Sequence, residues 1–458
     1  MGINTGDINP KNIRIFGNGG AMLAQRNDDF RYEDLQETSL FVSGESDGVF
    51  DTNDYILFYA KGADDWVVNP IAGTASHRKN LYAEKAYYFL TVTEGQGKRI
   101  SDLPAITSIP SKVLTTFDDY VFYEKESRNL FSIGTQWFGE DFSIENTQSF
   151  KINFKNAVTN APISVKVRGA AISSLSSSMD VLIGAQKLYS ISFPAVNTGA
   201  LTLGYASHKI AATNNSSSEI DISVVFNNGG NPAAKAYLDY IEIVGKKNLI
   251  ADDRQFSFRS FEANNTSGTI AYDIENSNSI FRIWDVSNPL NPKNIVNASD
   301  GNSFNFNATG GALKEYIVLH EADFFTPIVP ENALISNQNL HAIKDVEYII
   351  ITNQELFNQA SRLTTYHQNN SGLTSKVILL SEIYNEFGSG SPDITAVRDF
   401  IRHVYTTNTS VNNTLKYVCF FGDGSYDYKD RISNNNNVVP VYESFDSFNL
   451  ATSYVTDD

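Results

Sequence analysis

The sequence Val346-Glu347-Tyr348-Ile349-Ile350-Ile351-Thr352 decides the fold of the last part of this 458-residue chain. A near-continuous apolar run of this length is typical of a strand that is covered on both faces of a parallel sheet. Residues 354–368 follow with a helical composition and no proline, and the chain then continues with a strand at 376–380, a helix at 394–405 and a strand at 416–421. This order predicts right-handed βαβ units. We therefore assign residues 340–458 to a parallel α/β domain, and we interpret it as truncated because its outer strands lack neighbours.

The helix at 394–405 has the clearest local signals. Asp393 is a good N-cap, because its carboxylate can accept hydrogen bonds from the first free backbone N–H groups. An apolar stripe at three- and four-residue steps follows, formed by Val397, Phe400, Ile401 and Val404. Such a stripe predicts one buried helix face.

The rest of the chain is predicted to form β modules. Phe150-Lys151-Ile152-Asn153-Phe154 and Ile220-Asp221-Ile222-Ser223-Val224 alternate apolar and polar residues, as strands with one buried face do. Strands at this spacing predict a β-sandwich, of jelly-roll type, at residues 140–250. An N-terminal β domain at 1–125 precedes it, and a third β segment at 254–330 follows it. The predicted fold class is thus a multidomain β protein that ends in an α/β domain.

Composition excludes several classes of protein. The net charge is -17 and no Lys/Arg-rich block is present, so neither a nucleic-acid partner nor an anionic membrane surface is expected. No run approaches the ~20 apolar residues of a transmembrane helix. The sequence from Met1 also lacks the apolar core of a signal peptide, and we expect that segment to be encoded upstream.

Two groups of segments resemble a known family. Ile349-Ile350-Ile351-Thr352-Asn353 and Phe421-Gly422-Asp423-Gly424-Ser425-Tyr426-Asp427-Tyr428, with the helix at 394–401 between them, resemble the first half of the gingipain cysteine-peptidase domain, a caspase-like α/β fold. Residues 9–14 with Gly17-Asn18-Gly19-Gly20, residues 53–59 and residues 237–242 are similar to the sortases of the type IX secretion system, which belong to that family.

The resemblance implies a function at the cell surface, in association with the outer membrane. Such sortases remove C-terminal sorting domains from secreted cargo and join the new carboxyl end to lipopolysaccharide, through a Cys thiolate and a His. The implied partners are that cargo and other outer-membrane proteins of the secretion system, a PorV-like anchor among them. The family's catalytic His and Cys lie in the second half of the domain, so no residue of this chain is assigned as catalytic. The alternative hypothesis is a non-catalytic surface module of adhesin type, whose sandwich binds glycans or cargo.

The only thiol of the chain, Cys419, is not assigned as a nucleophile. It lies within Tyr417-Val418-Cys419-Phe420-Phe421, a pattern typical of a central strand. A cysteine buried in apolar surroundings is inert, because burial disfavours the thiolate. We therefore expect a structural role.

Asp423 and Asp427 are the candidate residues for supporting a substrate cleft. They follow the last strand of the α/β domain, and open α/β sheets place their sites beyond the carboxyl ends of the strands. We expect them to shape a cleft or hold a metal ion. The competing interpretation is that both build the turn and cap the following segment.

A second group of oxygen-bearing side chains suits calcium: Asp47, Asp51, Asn53 and Asp54. Calcium loops gather several oxygens from one short turn, and calcium is the single ion that this sequence suggests, although no cofactor is required. The full EF-hand pattern is not present, however, and the favoured interpretation is an ordinary polar turn.

Overall fold

The computed structural model describes residues 5–6, 8–197, 199–215, 217–299, 302–331, 333–407 and 414–453. The molecule is mostly β structure with few helices, and the parallel α/β domain lies at its C-terminal end. The predicted fold class is therefore confirmed. Short 3-10 helices lie at Pro10–Asn12, Glu45–Asp47, Ser277–Ser279, Glu321–Asp323 and Leu340–Ala342.

The first ten strands do not all belong to one domain. They are β1 Ile13–Gly17, β2 Gln36–Thr38, β3 Leu40–Val42, β4 Ile56–Phe58, β5 Asp65–Asn69, β6 Thr74–Arg78, β7 Phe89–Val92, β8 Ser101–Asp102, β9 Lys112–Leu114 and β10 Thr116–Glu124. Strand β1 lies between β2 and β7, while β3 pairs with β4 and β5 pairs with β6. Alternate residues of β1, Ile13 and Ile15, pack with Leu40 in a small apolar core.

Seven longer strands build the predicted sandwich: β11 Thr147–Asn153, β12 Ala161–Ile172, β13 Ser177–Ile183, β14 Gln186–Phe193, β15 Tyr205–Asn215, β16 Glu219–Asn227 and β17 Lys235–Asn248. One sheet has the order β10-β17-β12-β15 and the other β11-β16-β13-β14, and all pairs in both are antiparallel. The alternation in β16 turns Ile220, Ile222 and Val224 into the core between the sheets.

The third β module contains β18 Phe256–Phe258, helix α1 Phe261–Asn264, β19 Thr269–Ile274, β20 Arg282–Asp285, β21 Lys293–Ile295, β22 Phe304–Thr309 and β23 Tyr316–Leu319. Two strands from early in the chain complete it, since β8 pairs with β21 and β9 pairs with β19. Strand β10, in turn, belongs to the sandwich. The predicted boundary at residue 125 thus does not separate the sheets, because Leu114 on β9 is buried in the core of the third module.

The α/β domain contains β24 Tyr348–Thr352, α2 Phe357–Ser371, β25 Ser375–Leu379, α3 Leu380–Phe387, α4 Ile394–Thr406, β26 Tyr417–Phe420 and α5 Leu450–Ser453. The sheet is parallel with the order β25-β24-β26, and every residue of β24 is buried. Ile350 faces Ala360 of α2 on one side of the sheet, while Ile349 and Ile351 face α3 and α4 on the other. The eight-residue helix α3 was not predicted, because it follows β25 without a break.

An N-terminal segment is held against this domain by helix α4. The predicted N-cap is confirmed: Asp393 Oδ1 accepts a hydrogen bond from the Thr395 N–H at 2.8 Å. Its other oxygen accepts one from the Leu23 N–H at 2.9 Å, and Arg31 forms an ion pair with Asp399 at 2.6 Å. One carboxylate therefore begins the helix and also fixes the N-terminal segment.

We predict that Asp393→Ala lowers the free energy of unfolding by about 1–2 kcal/mol, since it removes the cap and leaves buried donors unsatisfied. Asp393→Asn provides the matched control, because asparagine also caps helices but has one acceptor oxygen instead of two. Urea denaturation should rank wild type above Asn and Asn above Ala. Amide exchange near Leu23 should rise in both variants. Unchanged exchange there would contradict the role of Asp393 in docking the segment.

Candidate functional site

The loop after β26 lies at the edge of the sheet where the carboxyl ends of the parallel strands meet. The beginning and the end of this loop lie side by side, because the Asp423 carbonyl accepts hydrogen bonds from the Val438 and Val439 N–H groups at 2.8 and 3.1 Å. Glycine is required in this loop: a Cβ on Gly422 would lie 2.5 Å from Val438 Cγ1. The Gly-Asp-Gly sequence thus permits two stretches of backbone to approach closely.

This loop lines an open cleft of about 560 Å³. Asp423 lies on its wall, where its Oδ2 accepts a hydrogen bond from Asn436 Nδ2 at 3.1 Å. Tyr442, about half exposed, and Glu443 lie on the wall as well. Burial raises the pKa of Glu443, although a hydrogen bond from the Gly134 N–H at 2.8 Å opposes that shift. The cleft therefore offers carboxylates, amides and an aromatic ring to a ligand.

Asp427 does not line the cleft but organises the loop beneath it. Its side chain is fully buried. Its Oδ2 accepts hydrogen bonds from the backbone N–H groups of Arg431 and Ile432, and its Oδ1 lies 3.1 Å from Arg431 Nη1. The structure thus separates the two predicted residues, with Asp423 on the wall and Asp427 in the support. Their role toward a substrate stays a prediction.

A buried cluster of charged residues connects this loop to the β-sandwich. Glu126, just after β10, lies 2.8 Å from both Lys429 Nζ and Arg431 Nη2. The Arg431 guanidinium also stacks over the Trp137 ring at 4.3 Å. Burial would raise the pKa of Glu126, but Lys429 and Arg431 hold it below its usual value. No sequence pattern indicated this cluster, because Glu126 and Lys429 are 303 residues apart.

Residues 444–448, which directly follow Glu443 on the cleft wall, dock on the same sandwich. The Thr135 N–H donates to the Ser444 carbonyl at 3.0 Å, and the Gln136 N–H donates to Ser447 Oγ at the same distance. Phe448 is buried against Phe138, with 5.6 Å between the ring centroids. Both sides of the cleft are thus fixed by residues 126–138 of the sandwich.

The candidate calcium turn has the geometry of an ordinary polar turn. Asp47 accepts a hydrogen bond from the Val49 N–H at 3.0 Å, Asp51 from the Asn53 N–H at 2.9 Å, and Asp54 from the Asp51 N–H at 2.9 Å. Within the described ranges, no three or more His, Cys, Asp or Glu side chains converge where they could hold a metal ion. Calcium binding stays a prediction.

The expectation that Cys419 lies buried in a central strand is wrong. Among the described strands, β26 lies at one edge of the sheet, with Tyr417 and Phe420 exposed and Cys419 half-buried. Cys419 packs against Tyr348, Ile350 and Ala360. Burial, together with the neighbouring thiol, raises the pKa of the Tyr348 hydroxyl to about 12. Tyr348 therefore stays protonated at neutral pH and does not act as a base toward the thiol.

The comparisons with known proteins agree with this architecture. Residues 341–458 match the model of peptidase family C25, the gingipain family, as predicted. The chain aligns with the crystal structure of dimeric latent PorU from Porphyromonas gingivalis at a TM-score of 0.84 and 22% identity, covering 99% of this chain and 43% of the PorU chain. The fold is that of PorU. The chain spans less than half of the PorU chain that it matches.

Carbohydrate-binding modules are similar to about a quarter of the chain. A family 36 carbohydrate-binding module from the hindgut metagenome of Trinervitermes trinervoides has 14% identity and a TM-score of 0.19, covering 27% of this chain and 96% of the module. A family 35 module from Clostridium thermocellum has 14% identity and a TM-score of 0.17, covering 28% and 90%. No curated protein sequence matches the chain. None of the helices in the described residues is long and apolar enough to cross a membrane.

We predict that Glu126→Gln destabilises the protein by about 3 kcal/mol at neutral pH, because two buried cations lose their shared counter-ion. The pKa of Glu126 is lowered in the folded protein, so its contribution is present above its unfolded pKa, about 4.3, and is lost as the pH falls toward the folded value. Denaturation from pH 7 to pH 3 should therefore show the two proteins converging.

Glu219→Gln is the control for this prediction. Glu219 forms an ion pair with Lys151 at 3.0 Å, but both side chains are more than half exposed. Exposed pairs contribute ~0–1 kcal/mol, so this variant should stay close to wild type at every pH. Equal losses of stability in the two variants would show that the cluster around Glu126 does not stabilise the interface between the sandwich and the loop after β26.

Proposed function

We propose that the chain is the N-terminal portion of a cell-surface cysteine peptidase that processes cargo of the type IX secretion system. The peptidase would remove C-terminal sorting domains and join the cargo to surface lipopolysaccharide. One observation carries this proposal: the PorU fold extends over 99% of the chain, through the β modules as well as the α/β domain. The match of residues 341–458 to peptidase family C25 supports the reaction class.

In this proposal the chain supplies the scaffold and one wall of the substrate site. The cleft beside Asp423 lies at the carboxyl edge of the sheet, where open α/β sheets bind their ligands. The nucleophile and the general base would come from the part of a PorU-like protein that this chain does not span. This division agrees with Cys419, which packs against the cluster of Tyr348, Ile350 and Ala360 and is not assigned as the nucleophile.

The β modules would meet the partners of the enzyme. These partners are outer-membrane proteins of the secretion system, including a PorV-like anchor, and cargo that carries a C-terminal sorting domain. The acidic chain and the absence of a basic block suit a protein that contacts other proteins and not an anionic membrane surface.

We predict that deletion of the gene leaves C-terminal sorting domains attached to secreted cargo in the organism that carries it. Mass spectrometry of the C-terminal peptides of surface proteins measures this directly, and the wild-type gene on a plasmid serves as the rescue control. Normal cargo processing combined with a loss of adhesion would overturn the proposal in favour of a non-catalytic adhesin.

We also predict that the 458-residue chain alone hydrolyses no peptide substrate, Arg and Lys esters included. A cysteine peptidase needs a thiolate and a base within about 2.6–3.2 Å. Cys419 instead packs against Tyr348, Ile350 and Ala360. Cys419→Ala should cost about 1 kcal/mol of stability and change no activity. Peptidase activity that is lost in Cys419→Ala would show that the nucleophile has been misplaced.

A further inference from the structure

A second buried charge cluster lies where the hairpin β5–β6 covers the outer face of the sandwich. Val121, Ile241 and Val165 point from the sheet β10-β17-β12-β15 into the sandwich core, so their neighbours Phe122 and Glu242 face outward. Ser76 Oγ and the His77 N–H on strand β6 both donate to Glu242 Oε1, at 2.7 and 2.8 Å. The hairpin is thus attached to the sheet by a carboxylate.

The ring of His77 lies between two carboxylates. Its Nδ1 is 2.7 Å from Glu242 Oε1, and its Nε2 is hydrogen-bonded to Glu124. The imidazole is stacked on Phe122 at 4.1 Å between centroids, with 9° between the planes. His77 and Glu242 are each 2% exposed at the side chain, so water does not reach the ring.

An ionised carboxylate can only accept a hydrogen bond, so two such partners require an N–H on each ring nitrogen. The proton on the Glu124 side belongs to the imidazole, because a histidine ordinarily binds a proton more tightly than a glutamate does. The geometry therefore favours His77 as an imidazolium. Neutral histidine would leave one nitrogen lone pair directed at a carboxylate, or force that carboxylate to bind the proton.

The charges of the cluster balance only in this protonated state. Lys166 Nζ on β12 lies 3.0 Å from Glu242 Oε2, so two cations face two carboxylates. The surrounding cations leave this sum unchanged, because each has its own carboxylate: Lys79 pairs with Asp64 at 3.0 Å, and Arg168 pairs with Asp239. His208 lies on β15 opposite Arg168. Partial burial, and then the cations Lys166 and Arg168, lower its pKa. Loss of the His77 proton would leave an uncompensated negative charge in a buried site, which is strongly destabilising.

We propose that His77 is a proton-dependent latch that holds the hairpin β5–β6 on the sandwich and releases it as the pH rises. Release uncovers the outer face of the sheet, with the aromatic rings of Phe122 and Tyr240 and the ammonium group of Lys166. The latch thus controls access to a cationic and aromatic surface at the interface between the N-terminal domain and the sandwich. This proposal is independent of the peptidase function.

The direction of the pH dependence follows from the two partners. Burial lowers the pKa of His77, but its hydrogen bonds to Glu124 and Glu242 outweigh burial and raise it above the usual value. The latch therefore contributes its full stability below about pH 6.5, and loses it as the pH rises through the folded pKa. Burial raises the pKa of Glu242, but His77, Ser76 and Lys166 lower it to about 2, so the carboxylate stays ionised well into the acid range.

The first experiment measures the protonation state of the His77 ring. Nitrogen NMR of the full chain with labelled histidine, in which the His77 signals are assigned by their loss in His77→Gln, should show two protonated ring nitrogens at pH 6. Glu124→Gln removes one of the two anions and should lower the midpoint of this titration, whereas His208→Gln should leave it unchanged. A neutral His77 at pH 6, or an unchanged midpoint in Glu124→Gln, would overturn the proposal.

The second experiment measures the opening of the hairpin β5–β6. Amide exchange of residues 65–78, corrected for its intrinsic pH dependence, should accelerate by up to tenfold per pH unit between about pH 6.5 and the His77 midpoint, because one proton is released on opening in that range, and should level off above the midpoint. His77→Gln should show fast exchange without this dependence, and His208→Gln should match wild type. Exchange in β12, inside the sandwich, serves as the folding control. A hairpin protected equally on both sides of the midpoint would refute the latch even if His77 titrates.

Discussion

The carboxylate of Glu126 is the contact on which the candidate cleft depends. It binds Lys429 and Arg431, two cations of a loop that belongs to a different domain. Arg431 in turn lies against Asp427, the buried residue that closes that loop. Removing the Glu126 charge would therefore affect a cleft whose lining residues it does not touch. The β-sandwich is part of the architecture of the site and not merely a neighbour of it.

The same kind of contact is found at the other interfaces between domains. Arg259 of the third β module is buried, 2.7 Å from Glu315 and 3.2 Å from Asp119 of the sandwich, and it lies over Tyr120 at 4.2 Å. His77 forms the equivalent contact between the N-terminal domain and the sandwich. Each interface combines a buried cation, carboxylates and an aromatic ring. Such pairs add little net stability, because desolvation offsets their attraction, but breaking one is costly. They fix the relative position of domains whose separate cores are apolar.

The sequence predicts best what is determined locally. The apolar run of β24 and the cap at Asp393 depend on neighbouring residues, and both lie where the pattern indicated. Strands β8 and β9 pair with partners far along the chain, so no local pattern marks them as part of the third module. The position of Cys419 at the edge of the described strands had the same cause: five apolar residues indicate a strand but not its neighbours. For the cleft, a loop residue such as Asp423 could be found from its place after a strand, whereas Glu126 could not.

The position of these interfaces also explains why the β modules and the α/β domain occur in one chain. A cleft on loops is mobile unless something rigid holds it, and a site works best when its supporting residues are themselves fixed. Here Val439 anchors the loop after β26 in the core of the α/β domain. The rest of the loop is held by contacts with the sandwich, from Glu126, from Trp137 and from the docking of Phe448 on Phe138. An isolated α/β domain would retain its sheet and helices but lose these contacts. The sandwich therefore determines the shape of the cleft, and changes far from the cleft in sequence would alter it without altering the peptidase-type fold around it.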